Sequence, residues 1–191
     1  MWRFVTGVRQ SDGTTNKTLD QMAGSQKKVI VRSFNTPAVS GYMPAYGFLE
    51  SNVIALMDTA GRAILFPINE IKWIAYVRDF NTGDLEDPER IGRRTFPARP
   101  RAEGLWLHMT FRDGEVLQGL APLDLTFLDG IVTDHGLTVT PPDLRSNTQR
   151  IYVPRPALAA LDLLGVVTSA ASRKTAPKPA REPQPSLFGE P

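Results

Sequence analysis

KVIVRSFNTPAVSGYMP, residues 28–44, decides the fold, because a second passage repeats it: LWLHMTFRDGEVLQGLAP, residues 105–122. Phe34 is followed by Val39, Gly41 and Pro44. Phe111 is followed by Val116, Gly119 and Pro122, with one extra residue before the glycine. Further on, AILFPINEIKWI (63–74) has its counterpart in RIYVPRPALAAL (150–161), an apolar-Pro pair followed by two apolar residues three apart. A β-rich unit occurs twice in this chain.

In the first copy, Val29, Val31 and Ser33 alternate with Ile30, Arg32 and Phe34, the period of a strand with two differing faces. Asn35-Thr36-Pro37 turns the chain, and a long second strand over 38–49 carries Gly41 and Gly47, residues suited to sharp bends. Residues 53–58 and 63–66 form a hairpin around Thr59-Ala60-Gly61-Arg62, and Pro67 ends its second strand because proline has no N–H to give a ladder. Residues 68–71 read as one helical turn and 73–78 as a fifth strand. In the second copy, Leu105, Leu107, Met109 and Phe111 alternate with Trp106, His108 and Thr110, and Asp113-Gly114 marks a tight turn. Residues 116–123 and 130–133 continue the strands. The proline-bearing stretch 134–147 reads as a long loop, of a length usually tied to binding. For 156–167, strand and short helix both fit, since ALAALDLLGV is rich in helix formers.

Five organisational units follow: a disordered tail over 1–27, a first β-barrel module over 28–80, a linker over 81–104, a second module over 105–167 and a disordered tail over 168–191. The fold class is mainly β. A lone fifty-residue barrel buries too little surface to be robust, so the two are expected to pack together. Their order of strand, turn, glycine-bearing strand, hairpin and turn into Ile71-x-x-Ile74 resembles the Sm-like and SH3-like small barrels, among them the bacterial RNA chaperones. The resemblance covers 29–77 and, more loosely, 105–164. It implies tandem barrels and, since Sm-like units often form rings, is compatible with a homo-oligomer. Where the RNA chaperones carry Tyr-Lys-His, this chain has Pro67, Ile68 and Asn69, so their RNA contacts do not carry over. The chain also resembles uncharacterised bacterial proteins of the domain-of-unknown-function type.

Composition narrows the chemistry. The absence of cysteine excludes disulfides, thiolate metal sites and a cysteine nucleophile. Two histidines, His108 and His135, leave little for a histidine-based site. No phosphate-binding glycine loop and no nucleophile elbow occurs, so no enzyme activity, cofactor or metal is expected. No apolar run approaches a membrane span and residues 1–15 lack a signal-peptide core, which makes the cytoplasm the expected location. Net charge is +2, but the positive excess lies in the tails, whereas residues 105–167 carry more acids than bases. Nucleic-acid binding needs Lys and Arg on the folded surface.

Two stretches carry candidate sites. Gln184-Pro185-Ser186-Leu187-Phe188 resembles the short peptide by which bacterial replication and repair proteins hold the sliding clamp. Leu187 and Phe188 would fill an apolar pocket while the Gln184 amide is hydrogen-bonded in a polar subsite; Ser186 is the small polar residue before them, and Pro185 stands where such peptides prefer leucine. The second stretch is the arginine cluster Arg90, Arg93, Arg94, Arg99 and Arg101, which offers phosphate contacts. Its Arg90-x-x-x-Arg94 spacing resembles the PilZ barrels that bind cyclic dinucleotides. The nearest string to their second motif, 124–129, lacks the serine and the glycine. Otherwise this is a linker whose arginines pair with the acids Asp84, Glu86, Asp87 and Glu89. Trp73, Tyr76, Trp106 and Tyr152 fall on strands, where packing competes with base stacking. The function expected is non-enzymatic binding, an adaptor whose tail reaches a protein partner with the sliding clamp as candidate. The alternative is RNA or single-stranded nucleic-acid binding.

Overall fold

A computed structural model describes residues 26–44, 49–50, 52–80, 83–84, 86–124, 136–143 and 145–168. Of the expected tails over 1–27 and 168–191, residues 1–25 and 169–191, and with them the clamp-like peptide, lie outside the described residues. The described residues form eleven strands: β1 (Gln26–Ser33), β2 (Val39–Pro44), β3 (Leu49–Glu50), β4 (Val53–Asp58), β5 (Ala63–Pro67), β6 (Ile71–Val77), β7 (Gly104–Phe111), β8 (Val116–Ala121), β9 (Gly136–Val139), β10 (Thr148–Pro154) and β11 (Leu158–Val167). Single 3-10 turns, Ile68–Glu70 and Arg155–Ala157, precede β6 and β11. Among the described residues there is no α-helix, and none therefore long and apolar enough to cross a membrane.

The repeat in sequence is a repeat in pairing. In the first half β1 pairs with β2 and β6, β2 with β4, and β4 with β5. In the second half β7 pairs with β8 and β11, β8 meets β9 through the Leu120–Thr140 bridge, and β9 pairs with β10. A proline in extended conformation opens each 3-10 turn, Pro67 at φ −60° and Pro154 at φ −63°. Even an irregularity is copied. Arg32 faces Trp73 while Ser33 faces Ile71, so Lys72 is the extra residue of a β-bulge. Thr110 faces Ala160 while Phe111 faces Leu158, which makes Ala159 the same extra residue in the second half.

The expectation of two separately closed barrels needs correction. No closed barrel forms among the described strands. Instead β6 takes β10 as its second neighbour, and one sheet runs β3-β4-β2-β1-β6-β10-β9, with β5 on β4; β11-β7-β8 make a second, three-stranded sheet. The physical reason lies in β6, where the run from Ile71 to Ala75 is buried on both faces. A strand with two apolar faces belongs inside a sheet and needs a neighbour at each edge. Smaller corrections accompany it. Strand β1 begins at Gln26, opposite Pro44, two residues before the expected start. Residues 136–139, expected in a loop, form β9 against β10. Residues 130–133 lie outside the described residues. Of the two alternatives for 156–167, the strand is the one present, over 158–167 along β7.

Two cores result. β1 divides its faces between them as the alternation requires: Val29 and Val31 join Met43, Ile54, Leu56, Ile71 and Ile74, while Ile30 joins the other. That other core mixes the halves, with Trp73, Ala75 and Val77 against Leu107, Met109, Phe111, Leu117, Val139 and Ile151. Trp73 and Phe111, both essentially without solvent exposure, lie 5.3 Å apart between ring centroids. Each large side chain buried this way contributes roughly 1.5–3 kcal/mol. The two halves share their interior.

Candidate functional site

The bulge at Lys72 turns a long cation into the interior, where it is 5% exposed. Its ammonium reaches Asp113 and Glu115, the acids of the β7–β8 turn, and lies over three rings: Trp73 at 5.1 Å, Phe111 at 5.3 Å and Phe34 at 5.7 Å. Burial would push the Asp113 carboxyl up. The Lys72 ammonium and backbone N–H groups outweigh it and hold Asp113 below its ordinary range. Arg94 pairs with Glu115 and stacks over Trp73 at 5.3 Å. Arg32 approaches the same indole at 5.7 Å, so three cations surround Trp73.

Segment 81–104, expected as a linker, is partly built into the fold. Glu89 is fully buried and Ile91 sits in the shared core. The Glu89 carboxylate accepts from Arg32 at two points and from Trp73 Nε1 at 3.3 Å, and its carbonyl accepts from Thr148 Oγ1 at 2.8 Å. That hydrogen bonding raises the Arg32 pKa further. The acids were expected to pair with neighbouring arginines of their own segment. Here Glu89 pairs with β1, and Arg94 with the β7–β8 turn, because the segment crosses the junction between the halves.

The five arginines are consequently dispersed. Arg94 is half-buried in the junction, and Arg99 donates to the Val166 carbonyl at 2.9 Å. Arg93 and Arg101 are exposed on the segment. Arg90, at φ 50°, lines an open cleft of about 310 Å³ with Asp79, Phe80, Arg145, Ser146 and Asn147. Asp79 and Asn147 build one wall: the Asn147 amide donates to the Asp79 carbonyl at 2.7 Å and accepts the Asp79 N–H at 3.0 Å. Lys28 binds the Asp79 carboxylate at 2.6 Å and holds its pKa below the usual range. Two exposed guanidiniums beside amide and hydroxyl groups offer donors to an anionic group. Arg145 was not singled out from sequence; only folding brings it to Arg90.

A family model described as a family of unknown function, DUF6982, matches residues 25–165. The chain belongs to this family. No curated protein and no solved structure matches it.

The DUF6982 match spans all eleven strands save the last two residues of β11, and so both copies of the repeat. It takes in the arginine segment and the cleft, and stops short of Gln184, Ser186, Leu187 and Phe188. The remaining residues marked in the sequence fall into packing roles. Trp73 and Tyr152 are buried; Tyr76 and Trp106 are half-buried. His108 approaches the Gln118 amide at 3.4 Å, and Gln118 Oε1 in turn accepts from Trp106 Nε1 and the Phe96 N–H. His135 lies outside the described residues. Among the described residues no group of three or more His, Cys, Asp or Glu is placed to hold a metal ion.

Proposed function

We propose that this protein is a non-enzymatic binding protein, an adaptor that carries a partner-recognition peptide, Gln184 with Ser186, Leu187 and Phe188, on a β scaffold. The observation that supports the reading is the placement of β11. It is the last described strand, stands at the outer edge of the three-stranded sheet and ends at Val167. The sixteen residues between Val167 and Gln184 reach about 55 Å when extended, enough to present a peptide clear of the scaffold. The scaffold itself reads as two Sm/SH3-like units, opened where they join, in a cytoplasmic protein.

The named partner is the replication sliding clamp. Leu187 and Phe188 supply the apolar anchors and Gln184 the polar one. Calorimetric titration of the full chain into purified clamp tests it. Heat that disappears in a Leu187→Ala, Phe188→Ala variant is expected; no heat, with a known clamp peptide binding in parallel, would overturn the assignment.

A second reading, RNA or single-stranded nucleic-acid binding, draws on the cleft where Arg90 and Arg145 stand together. Affinity should then fall steeply with salt, with a log–log slope of about −0.7 for each phosphate neutralised. Deleting residues 184–188 should leave that binding intact and abolish clamp capture.

A further inference from the structure

With the two-residue β3 left out of the count, the halves of this chain join by pairing a fifth strand to a fourth. β6, fifth in the first half, receives β10, fourth in the second, with Tyr152 opposite Ile74, Ile151 opposite Ala75 and Arg150 opposite Tyr76. The same two kinds of strand recur at sheet edges, each with one neighbour among the described strands. β5, fourth in the first half, pairs with β4; β11, fifth in the second, pairs with β7. We propose that β5 of one copy pairs antiparallel with β11 of a second copy, repeating between chains the β6–β10 seam, so that the protein assembles head to tail.

The apolar surface is where this seam requires it. Of the five large apolar residues that are exposed among the described residues, four lie on these two strands: Leu65 on β5, and Leu163, Leu164 and Val166 on β11. Counting back from Pro67 and Pro154, Leu65 occupies the place of Tyr152. Tyr152 is covered at the internal seam and 7% exposed, whereas Leu65 is 67% exposed. Counting forward, Leu163 occupies the place of Tyr76, which is half-buried in the seam, and is itself 59% exposed. The residues missing a neighbour are the ones whose counterparts have one.

Transferring the internal register sets Leu65 opposite Leu161, Ile64 opposite Asp162 and Ala63 opposite Leu163. Arg62, exposed just before β5, is held by Asp58 and takes the place of the bulge residue Gln149 of the internal seam. Asp162 is the charge that discourages other apolar strands from docking on this edge. Arg99, bound to the Val166 carbonyl, occupies β11 near its end and leaves the stretch from Leu161 to Leu164 for the seam. Because the two edges differ, the contact is heterologous and extends into rings or filaments rather than stopping at a two-fold dimer.

The proposal rests on sheet order and is independent of the recognition peptide. Sedimentation of the full chain over a concentration series should show mass rising above one chain. Leu65→Lys disables β5 and Leu163→Lys disables β11, so each variant alone should sediment as a monomer with unchanged circular dichroism. Mixed in equal amounts they should form a one-to-one dimer, each contributing its intact edge. A monomeric wild type, a mixture that stays monomeric, or a single variant that keeps wild-type mass would each overturn the proposal. As a check that leaves charge unaltered, a Leu65→Cys copy and a Leu161→Cys copy, in a chain without native cysteine, should cross-link to one another under mild oxidation. Failure of that heterodimer to form counts equally against the seam.

Discussion

Arg32 grips Glu89 at two points, Nε to Oε1 at 2.7 Å and Nη2 to Oε2 at 2.6 Å. The pair fastens a segment between the halves to the central strand β1, and its carboxylate has no solvent exposure. Glu89→Ala would leave a guanidinium facing the shared core and the Trp73 N–H without its acceptor. Removing one partner of such a pair costs about 3 kcal/mol. Urea titration should show that loss as a lower midpoint at unchanged slope; an unaltered midpoint would mean that water replaces the carboxylate at no cost.

The turn acid Asp113 gives the fold an acid limit. Its folded pKa lies below the ordinary 3.8, so its contribution is fully present above 3.8 and is lost as pH falls through the folded value. Asp58 acts in the same direction, its carboxylate held by the backbone N–H of Arg62 first, then by the Arg62 side chain. Thermal unfolding followed from neutral pH downward should be flat, then fall below pH 3.8. Asp113→Asn should shallow that fall without removing it, and superimposable acid limbs would show that Lys72 leans on Glu115 alone.

Tyr152 sets the opposite limit. Burial in the seam, assisted by nearby Tyr76, raises its phenol from 10 to about 12. A raised pKa means stability that is complete below pH 10 and lost as pH climbs through 12, since the folded chain resists ionisation that the unfolded chain allows. Tyr152→Phe should therefore lose less stability than wild type between those values. Parallel alkaline unfolding curves for the two proteins would argue against it.

Gly41 and Gly119 hold the same place in the two halves, where β2 passes β4 and β8 passes β9. A Cβ on Gly41 would stand 2.4 Å from the Met57 carbonyl, and one on Gly119 2.7 Å from the Val139 side chain. Alanine at either site should destabilise by roughly 1–3 kcal/mol, as overpacking does. Gly83, with open space at its Cβ position, serves as the control and should change by no more than about 0.5 kcal/mol. Equal midpoints for all three variants would show that the strands part easily there.

Those two glycines were readable in sequence because a repeat shows which positions tolerate no side chain. The alternation of Val29 to Phe34 likewise assigned both faces of β1, and Pro67 marked where β5 ends. Edges were not readable. Periodicity tells which face of β6 is apolar, and both are, but nothing in its residues names β10 as the neighbour. β9 was missed because Gly136-Leu137-Thr138-Val139 is short and is followed by Pro141 and Pro142, which read as loop. The junction charges escaped for a related reason: Arg32 and Glu89 stand far apart in sequence, as do Lys72 and Asp113, so local charge order suggested the wrong pairs. Of the candidate arginines, only Arg90 reaches the cleft; its companion Arg145 lies in the stretch 134–147, whose length pointed to binding without naming the residue.

The pairing of Ile74 with Tyr152 also orders events during synthesis. A ribosome releases β6 nearly eighty residues before it releases the strand that covers it, so the nascent first half must wait with an apolar border bare. Chaperone holding during that interval, and slow folding of the kind set by distant contacts, are what such a layout demands of the cell.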